Sequence, residues 1–266
     1  QKEDEEDKPV LFGNIVSTGH PSYAVVCYML TGISTSVSKC NAEREFPPLN
    51  EDFSDFHKFE FELSDKTFIP SSKFGCEFED YAPTVFRRLR KLFNVDSADY
   101  LKSLSPEYLV SELSSPGKSG SSLYFCRDSR FIIKTIHHSE YKMFCKILKD
   151  YYNHVQNNPD TLLSQFYGLH CVKLSFCPKI HFVVMKNLFP PYHNMKRIYD
   201  LKGKKVSSLG REYIPKKNQQ ELTTAVQKDR NWIWNNESLN LGPTKSQQLM
   251  TQLKKDVPLL QKLNIM

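Results

Sequence analysis

No stretch of this 266-residue sequence approaches the roughly 18 consecutive apolar residues of a membrane-spanning helix, and no apolar leader opens it. A soluble, intracellular chain is therefore expected. Its seven cysteines, at positions 27, 40, 76, 126, 145, 171 and 177, include no CxxC pair and no metal-ligand spacing. This argues against a secreted disulfide framework and a structural zinc site, predicts reduced thiols, and assigns no metal ligand. Repeats and low-complexity tracts are absent as well, which removes solenoids and repeat arrays.

What is present is a chain 39% hydrophobic and 12% aromatic, enough for one large domain or two small ones. Its formal charge is +6. The first eight residues hold five acids and two lysines, so the remainder carries about +9. The head, residues 1–10, reads as acidic and disordered. The basic remainder fits a solubilising surface or attraction to a polyanion, either nucleic acid or an anionic membrane leaflet. No stacking-aromatic motif or recognition helix accompanies the charge, so nucleic acid is not expected as a partner.

The most informative segment is Ser115-Pro-Gly-Lys-Ser-Gly-Ser-Ser122, running into the apolar pattern 123–125 and then into Phe131-Ile-Ile-Lys-Thr-Ile136. Gly117 and Gly120 let the backbone approach phosphate oxygens and aim amide N–H groups at them, while Lys134 stands among β-formers within reach of the same charge. An ordinary Gly/Ser hairpin turn explains the local pattern equally. Gly117-Lys-Ser119 also spells the end of a Walker A loop. That motif needs a glycine where Glu112 stands, and a strand before with a helix after, whereas Ser105 to Leu113 reads as a helix with a Ser cap and Pro at its first position.

Elsewhere the periodicity predicts a helix over 19–33 with apolar positions 25, 26, 29, 30 and 33, and a half-buried strand over 57–63. A second helix is expected over 80–93, and a long one capped by Ser139 with an apolar stripe from Phe144 to Val155. Strands follow at 166–170 and 179–185, the latter nearly continuous in apolar residues and so central. Asn187-Leu-Phe-Pro-Pro191 breaks the pattern, and Asp200-Leu-Lys-Gly203 lies in a cation-rich stretch. The tail from 246 to 263 is expected to be helical with Leu249, Leu253, Val257 and Leu260 on one face, kinked or divided at Pro258.

Gly19-His-Pro21, Asp80-Tyr-Ala-Pro83, Ser115 to Gly120, Ile132 to Glu140, Tyr151-Tyr-Asn-His-Val155, Gln165 to His170, Asn187 to Pro191, Asp200 to Gly203 and Asp256 to Met266 occur in one order. In that order the sequence resembles the phosphatidylinositol phosphate kinases, and most of all their type I branch, the phosphatidylinositol 4-phosphate 5-kinases. The resemblance implies an α+β, protein-kinase-related lipid kinase fold. Residues 11–187 would form the N-terminal lobe, an antiparallel sheet with flanking helices, and residues 188–266 the hinge and the start of the C-terminal lobe.

It implies ATP and Mg²⁺ as cofactors and phosphatidylinositol 4-phosphate as substrate, at the inner face of the plasma membrane, where a cytoplasmic enzyme meets an anionic surface. Lys134 would pair with ATP phosphates under a loop of Gly117, Lys118, Ser119, Gly120 and Ser121. Met185, Asn187 and Phe189 would border the adenine, and Asp200 and Lys202 would sit close to the γ-phosphate. The helix near Gly19 resembles the one through which family members form homodimers, a core helix being the alternative. Family members continue beyond the position of Met266 into the catalytic aspartate, a metal-binding aspartate and an activation loop. The stretch alone is therefore expected to lack kinase activity, the alternative being a catalytically dead nucleotide-, membrane- or kinase-binding module.

Overall fold

The computed structural model describes residues 13–61, 75–105, 110–114, 121–126, 128–175, 177–190, 197–202 and 226–265. They divide into two compact units, one within Gln1–Leu188 and Gln252–Met266, the other within Phe189–Thr251. The first unit is built on eight strands: β1 (Asn14–Val16), β2 (Phe56–Phe61), β3 (Cys76–Tyr81), β4 (Val110–Ser114), β5 (Ser122–Phe125), β6 (Phe131–Ile136), β7 (Phe166–Leu174) and β8 (Ile180–Lys186). Their order in the sheet is β1-β4-β5-β6-β8-β7-β3-β2, with every described neighbour pair antiparallel. This is the mixed α+β architecture with a large antiparallel sheet that the resemblance implies. The apolar run in β8 fits its place between β6 and β7, buried on both faces.

One face carries helix α1 (Tyr23–Ala42), whose Met29, Leu30, Ile33 and Val37 join Phe78, Ile133, Phe182 and Val184 in a core. The helix runs nine residues past the predicted end at Ile33. Ser36 and Cys40 continue its buried stripe without looking hydrophobic, and the Arg87 guanidinium closes its last turn by donating to the carbonyls of Cys40 (2.7 Å) and Glu43 (2.9 Å). Gly32 is required where α1 crosses β3, because a Cβ there would lie 2.1 Å from Phe78 Cδ2. Gly32→Ala is expected to destabilise the fold by about 1–3 kcal/mol through overpacking, despite the gain of about 1 kcal/mol in helix propensity. Urea denaturation reads the difference.

The other face carries α2 (Pro83–Leu92) and α4 (His138–Asn157), where Phe86, Leu89, Leu148, Tyr151 and Val155 pack with Leu169 and Val183. The predicted helix over 80–93 is corrected at its start. Asp80 belongs to β3, and Ala82, at φ 48°, turns the chain into Pro83 at the helix start. Helix α4 begins two residues earlier than a Ser139 cap would place it, with Glu140 reaching back to accept from the His137 N–H at 2.8 Å. A short α3 (Ser97–Ser103) opens on Asp96, whose carboxylate accepts from the Ala98 and Asp99 amides.

The predicted helix over 105–113 is overturned for its described part. Val110–Ser114 is strand β4, paired with both β1 and β5. The Ser-Pro cap signal is local, whereas ladder bonds on both sides of a five-residue strand are tertiary and prevail. The glycine loop therefore connects two antiparallel strands, with Ser114 opposite Ser122. A strand does precede it, contrary to one ground for excluding a Walker A loop, but the element that follows is β5 rather than a helix.

The second unit holds β9 (Ile198–Asp200) and β10 (Val226–Lys228), a parallel pair, followed by α5 (Asp229–Trp234). Helix α6 (Gly242–Lys262) starts in this unit and belongs to the first from Gln252 onward. It is not divided at Pro258. Its buried residues are Gln252 and Asp256, while Leu253 and Val257 of the expected apolar face stay exposed. Asp256 accepts from His154 Nε2 (2.6 Å), Thr161 Oγ1, the Leu162 amide and Gln252 Nε2 (each 2.8 Å), so a polar node docks this half of the helix. No helix among the described residues is long and apolar enough to cross a membrane. All seven cysteines are free thiols, and burial raises Cys76 to about 12 and Cys171 to about 11, which keeps both unreactive.

Candidate active site

Lys134 occupies the middle of a transverse row on the α2/α4 face of the sheet. Register places Leu113, Leu123, Lys134, Val183, Leu169 and Tyr81 opposite one another across β4, β5, β6, β8, β7 and β3, so their side chains share that face. Burial falls along the row. Leu169 and Val183 lie under the helices, Lys134 and Leu123 are half-buried, and Leu113 is 38% exposed. The neighbouring row on the same face, Phe125, Ile132 and Met185, adds more apolar surface.

The Lys134 ammonium makes no ion pair or hydrogen bond with any described residue. Farther along the face His181 is pushed down in basicity by burial and by His138, whose Nδ1 lies 2.9 Å from its Nε2. Two ring nitrogens at that distance share one proton, which favours a neutral His181. Among the described front-face residues of β4, β5, β6 and β8, Lys134 is then the fixed positive charge, set in apolar surroundings. Such an arrangement is chemically suited to a ligand that is flat and apolar at one end and anionic at the other.

The base of the glycine hairpin is held firmly. The Ser122 amide donates to Thr135 Oγ1 at 2.8 Å, and Ser121 is buried beside it. On the opposite face Glu112 of β4 accepts from Ser22 Oγ at 2.8 Å and stands 3.7 Å from His20 Nε2, tying the hairpin to the start of α1. Gly117, Lys118, Ser119 and Gly120 lie outside the described residues.

At the end of β8, Met185 is half-buried on the Lys134 face, and Phe189 is exposed. Asn187 is buried, and its carboxamide donates to the Ser129 carbonyl at 2.7 Å.

In the second unit, Asp200 closes β9, and its carboxylate accepts from Lys228 Nζ at 2.9 Å. Lys202 is exposed, and its amide donates at 2.8 Å to Asp229, a largely buried acid that follows β10. Lys228 and Asp229 were missed by sequence reasoning. A parallel pairing between 198–200 and 226–228 carries no local signature, and only the register Asp200 opposite Lys228 brings them together. Gly203 lies outside the described residues.

A family model described as Phosphatidylinositol-4-phosphate 5-Kinase matches residues 104–266. The chain belongs to the phosphatidylinositol 4-phosphate 5-kinase family. Within that family it is 52% identical to phosphatidylinositol 4-phosphate 5-kinase its3 of Schizosaccharomyces pombe, over 100% of this chain and 35% of the relative. It is 38% identical to phosphatidylinositol 4-phosphate 5-kinase 1 of Arabidopsis thaliana, over 96% of this chain and 33% of that protein. A probable phosphatidylinositol phosphate kinase of Dictyostelium discoideum is 37% identical over 98% of this chain and 39% of its own length. The chain thus spans 33–39% of the length of these curated relatives.

Proposed function

We propose that the protein containing this chain transfers the γ-phosphoryl group of ATP to the 5-hydroxyl of phosphatidylinositol 4-phosphate, giving the 4,5-bisphosphate, and that this stretch supplies the part that grips the nucleotide. The observation that carries the reading is Lys134, a half-buried cation without a partner among the described residues, on a largely apolar face, in a chain whose relatives are named for this activity. ATP, when bound, supplies the phosphoryl group and the adenine. The residues present fit it: Leu113, Leu123, Ile132 and Met185 offer apolar surface for the base, and Lys134 offers charge for the phosphates. In our reading Asp200 and Lys202 serve phosphoryl transfer, Lys228 holding the Asp200 carboxylate and Asp229 the Lys202 amide within the second unit.

Mg²⁺ belongs to this class of chemistry. Among the described residues no three His, Cys, Asp or Glu side chains stand together to hold a metal ion, so we assign no metal ligand here. In the same reading residues 11–187 serve as the N-terminal lobe and 188–266 as the hinge and start of the C-terminal lobe, with Gln252–Met266 grouping with the first compact unit. The basic balance supports work at the anionic inner face of the plasma membrane, where each cation near the surface contributes about 1 kcal/mol. A homodimer through α1 would use its outward residues such as Ser38, since the inward stripe is taken up by the sheet.

The test is transfer of label from γ-labelled ATP by the full-length protein to vesicles carrying phosphatidylinositol 3-, 4- or 5-phosphate. Label at the 5-position of the 4-phosphate is expected. Binding of ATP without transfer to any of the three lipids would overturn the assignment.

A further inference from the structure

Asn187 ends the central strand β8 where the chain leaves the sheet, and it grips one turn twice. Its backbone N–H donates to the Arg130 carbonyl at 2.9 Å, and its side-chain amide donates to the adjacent Ser129 carbonyl at 2.7 Å. Asn187 is 5% exposed, so both bonds are shielded from water.

The turn it grips, between β5 and β6, is built to stay in place. Ser129 sits at φ 53°, a left-handed conformation that costs a non-glycine residue energy, and its own amide is fixed to the Cys126 carbonyl at 2.8 Å. Asp128 accepts from Ser103 Oγ of α3 at 2.6 Å and from Arg130 Nε at 2.7 Å, and the Arg130 guanidinium reaches Asp99 of α3 at 3.3 Å. A chain of polar contacts therefore runs from α3 through the turn to the end of β8.

Resting on the reading of residues 185–188 as the border of the adenine site, we propose that Asn187 is a positioning residue for the nucleotide. Its carboxamide holds the backbone after β8 against the β5–β6 turn, so that the main-chain groups of 185–188 meet the base edge in one fixed geometry. The carboxamide commits an N–H to Ser129 and the side chain is 5% exposed, which turns it toward the turn rather than toward an open ligand surface. Ordering that backbone in advance removes a cost that ATP would otherwise meet on binding.

The experiment measures steady-state kinetics and binding of a fluorescent ATP analogue by the full-length protein with Asn187→Ala, Asn187→Asp and Arg130→Ala. Loss of one buried hydrogen bond predicts that Asn187→Ala raises KM for ATP about tenfold, with KM for the lipid unchanged. Asn187→Asp, which sets a carboxylate against a carbonyl, should be worse. Arg130→Ala loosens the turn from a partly exposed position far along the chain from β8. It should raise KM for ATP about two- to threefold, and by less when Asn187 is already alanine.

An effect of Asn187→Ala with none from Arg130→Ala would mean direct contact with the base and would overturn the proposal. So would a fall in kcat and thermal stability with KM for ATP unmoved, the mark of a merely structural role. If Asn187→Ala does not fold, Arg130→Ala alone decides by the same criterion. Absence of nucleotide binding by the unsubstituted protein would instead sink the adenine-site reading on which the proposal rests.

Discussion

Lys134→Ala is expected to lower phosphoryl transfer by at least about a hundredfold and to abolish stabilisation of the protein by ATP, while leaving the fold intact. The three parts of this expectation have one cause. Lys134 is half-buried on the sheet face it shares with Leu123, Ile132, Ile136 and Val183, and no described acid pairs with it. In the free protein such a cation is mildly unfavourable, so its removal should leave the melting temperature unchanged or slightly raised. Once an anion of several charges lies against it in low-dielectric surroundings, the same cation contributes several kcal/mol. Lys134→Arg keeps the charge but spreads it over a planar fork, and it should recover only part of the rate. Thermal melts with and without ATP, alongside the transfer assay, check all three. A strong loss of stability without nucleotide would show that Lys134 holds the fold rather than the ligand.

The sheet and its long helices were legible where burial follows a simple period. The nearly continuous apolar run at 180–185 reports a strand buried on both faces, the 3.6-residue stripe from Leu148 to Val155 reports one buried face of a helix, and the structure places both as expected. The sequence misleads where the partner is distant. Val110 to Ser114 carries a helix start signal just upstream and becomes a strand because β1 and β5 flank it. Leu253 and Val257 look like an inward face, yet α6 turns Gln252 and Asp256 inward, since four donors wait for that carboxylate. The site divides in the same way. Lys134 could be singled out because a lysine among β-formers beside a glycine loop is locally unusual. Asp229 and Lys228 could not, because what marks them is register with β9, and Asn187 shows its role only through the turn it bonds.

Asp80→Ala is expected to cost about 3–5 kcal/mol, a large share of the roughly 5–15 kcal/mol by which a domain is stable. Asp80 is 3% exposed and His170 1%, with His170 Nδ1 2.9 Å from Asp80 Oδ1, and Ser36 of α1 donates to Asp80 Oδ2 at 2.5 Å. The pair lies in a dry pocket walled by the Phe78 and Phe182 rings, and Gly168 leaves room for the imidazole. Burial pushes the Asp80 carboxyl up, but His170, Ser36 and the charge of Arg90 outweigh burial and hold it below its ordinary value. A carboxyl depressed by folding contributes stability that is present above its unfolded value, near about 3.9, and lost as pH falls through the lower folded one. Acid unfolding should therefore steepen below about pH 4, and Asp80→Asn, which keeps the shape and the acceptor for Ser36, should flatten that part of the profile. The alanine substitution leaves Ser36 without its acceptor and His170 without its ionic partner between α1, β3 and β7, so its cost should appear in urea melts at pH 7 as well. An Asp80→Ala protein as stable at pH 7 as its parent would show that aromatic packing alone holds α1 to the sheet.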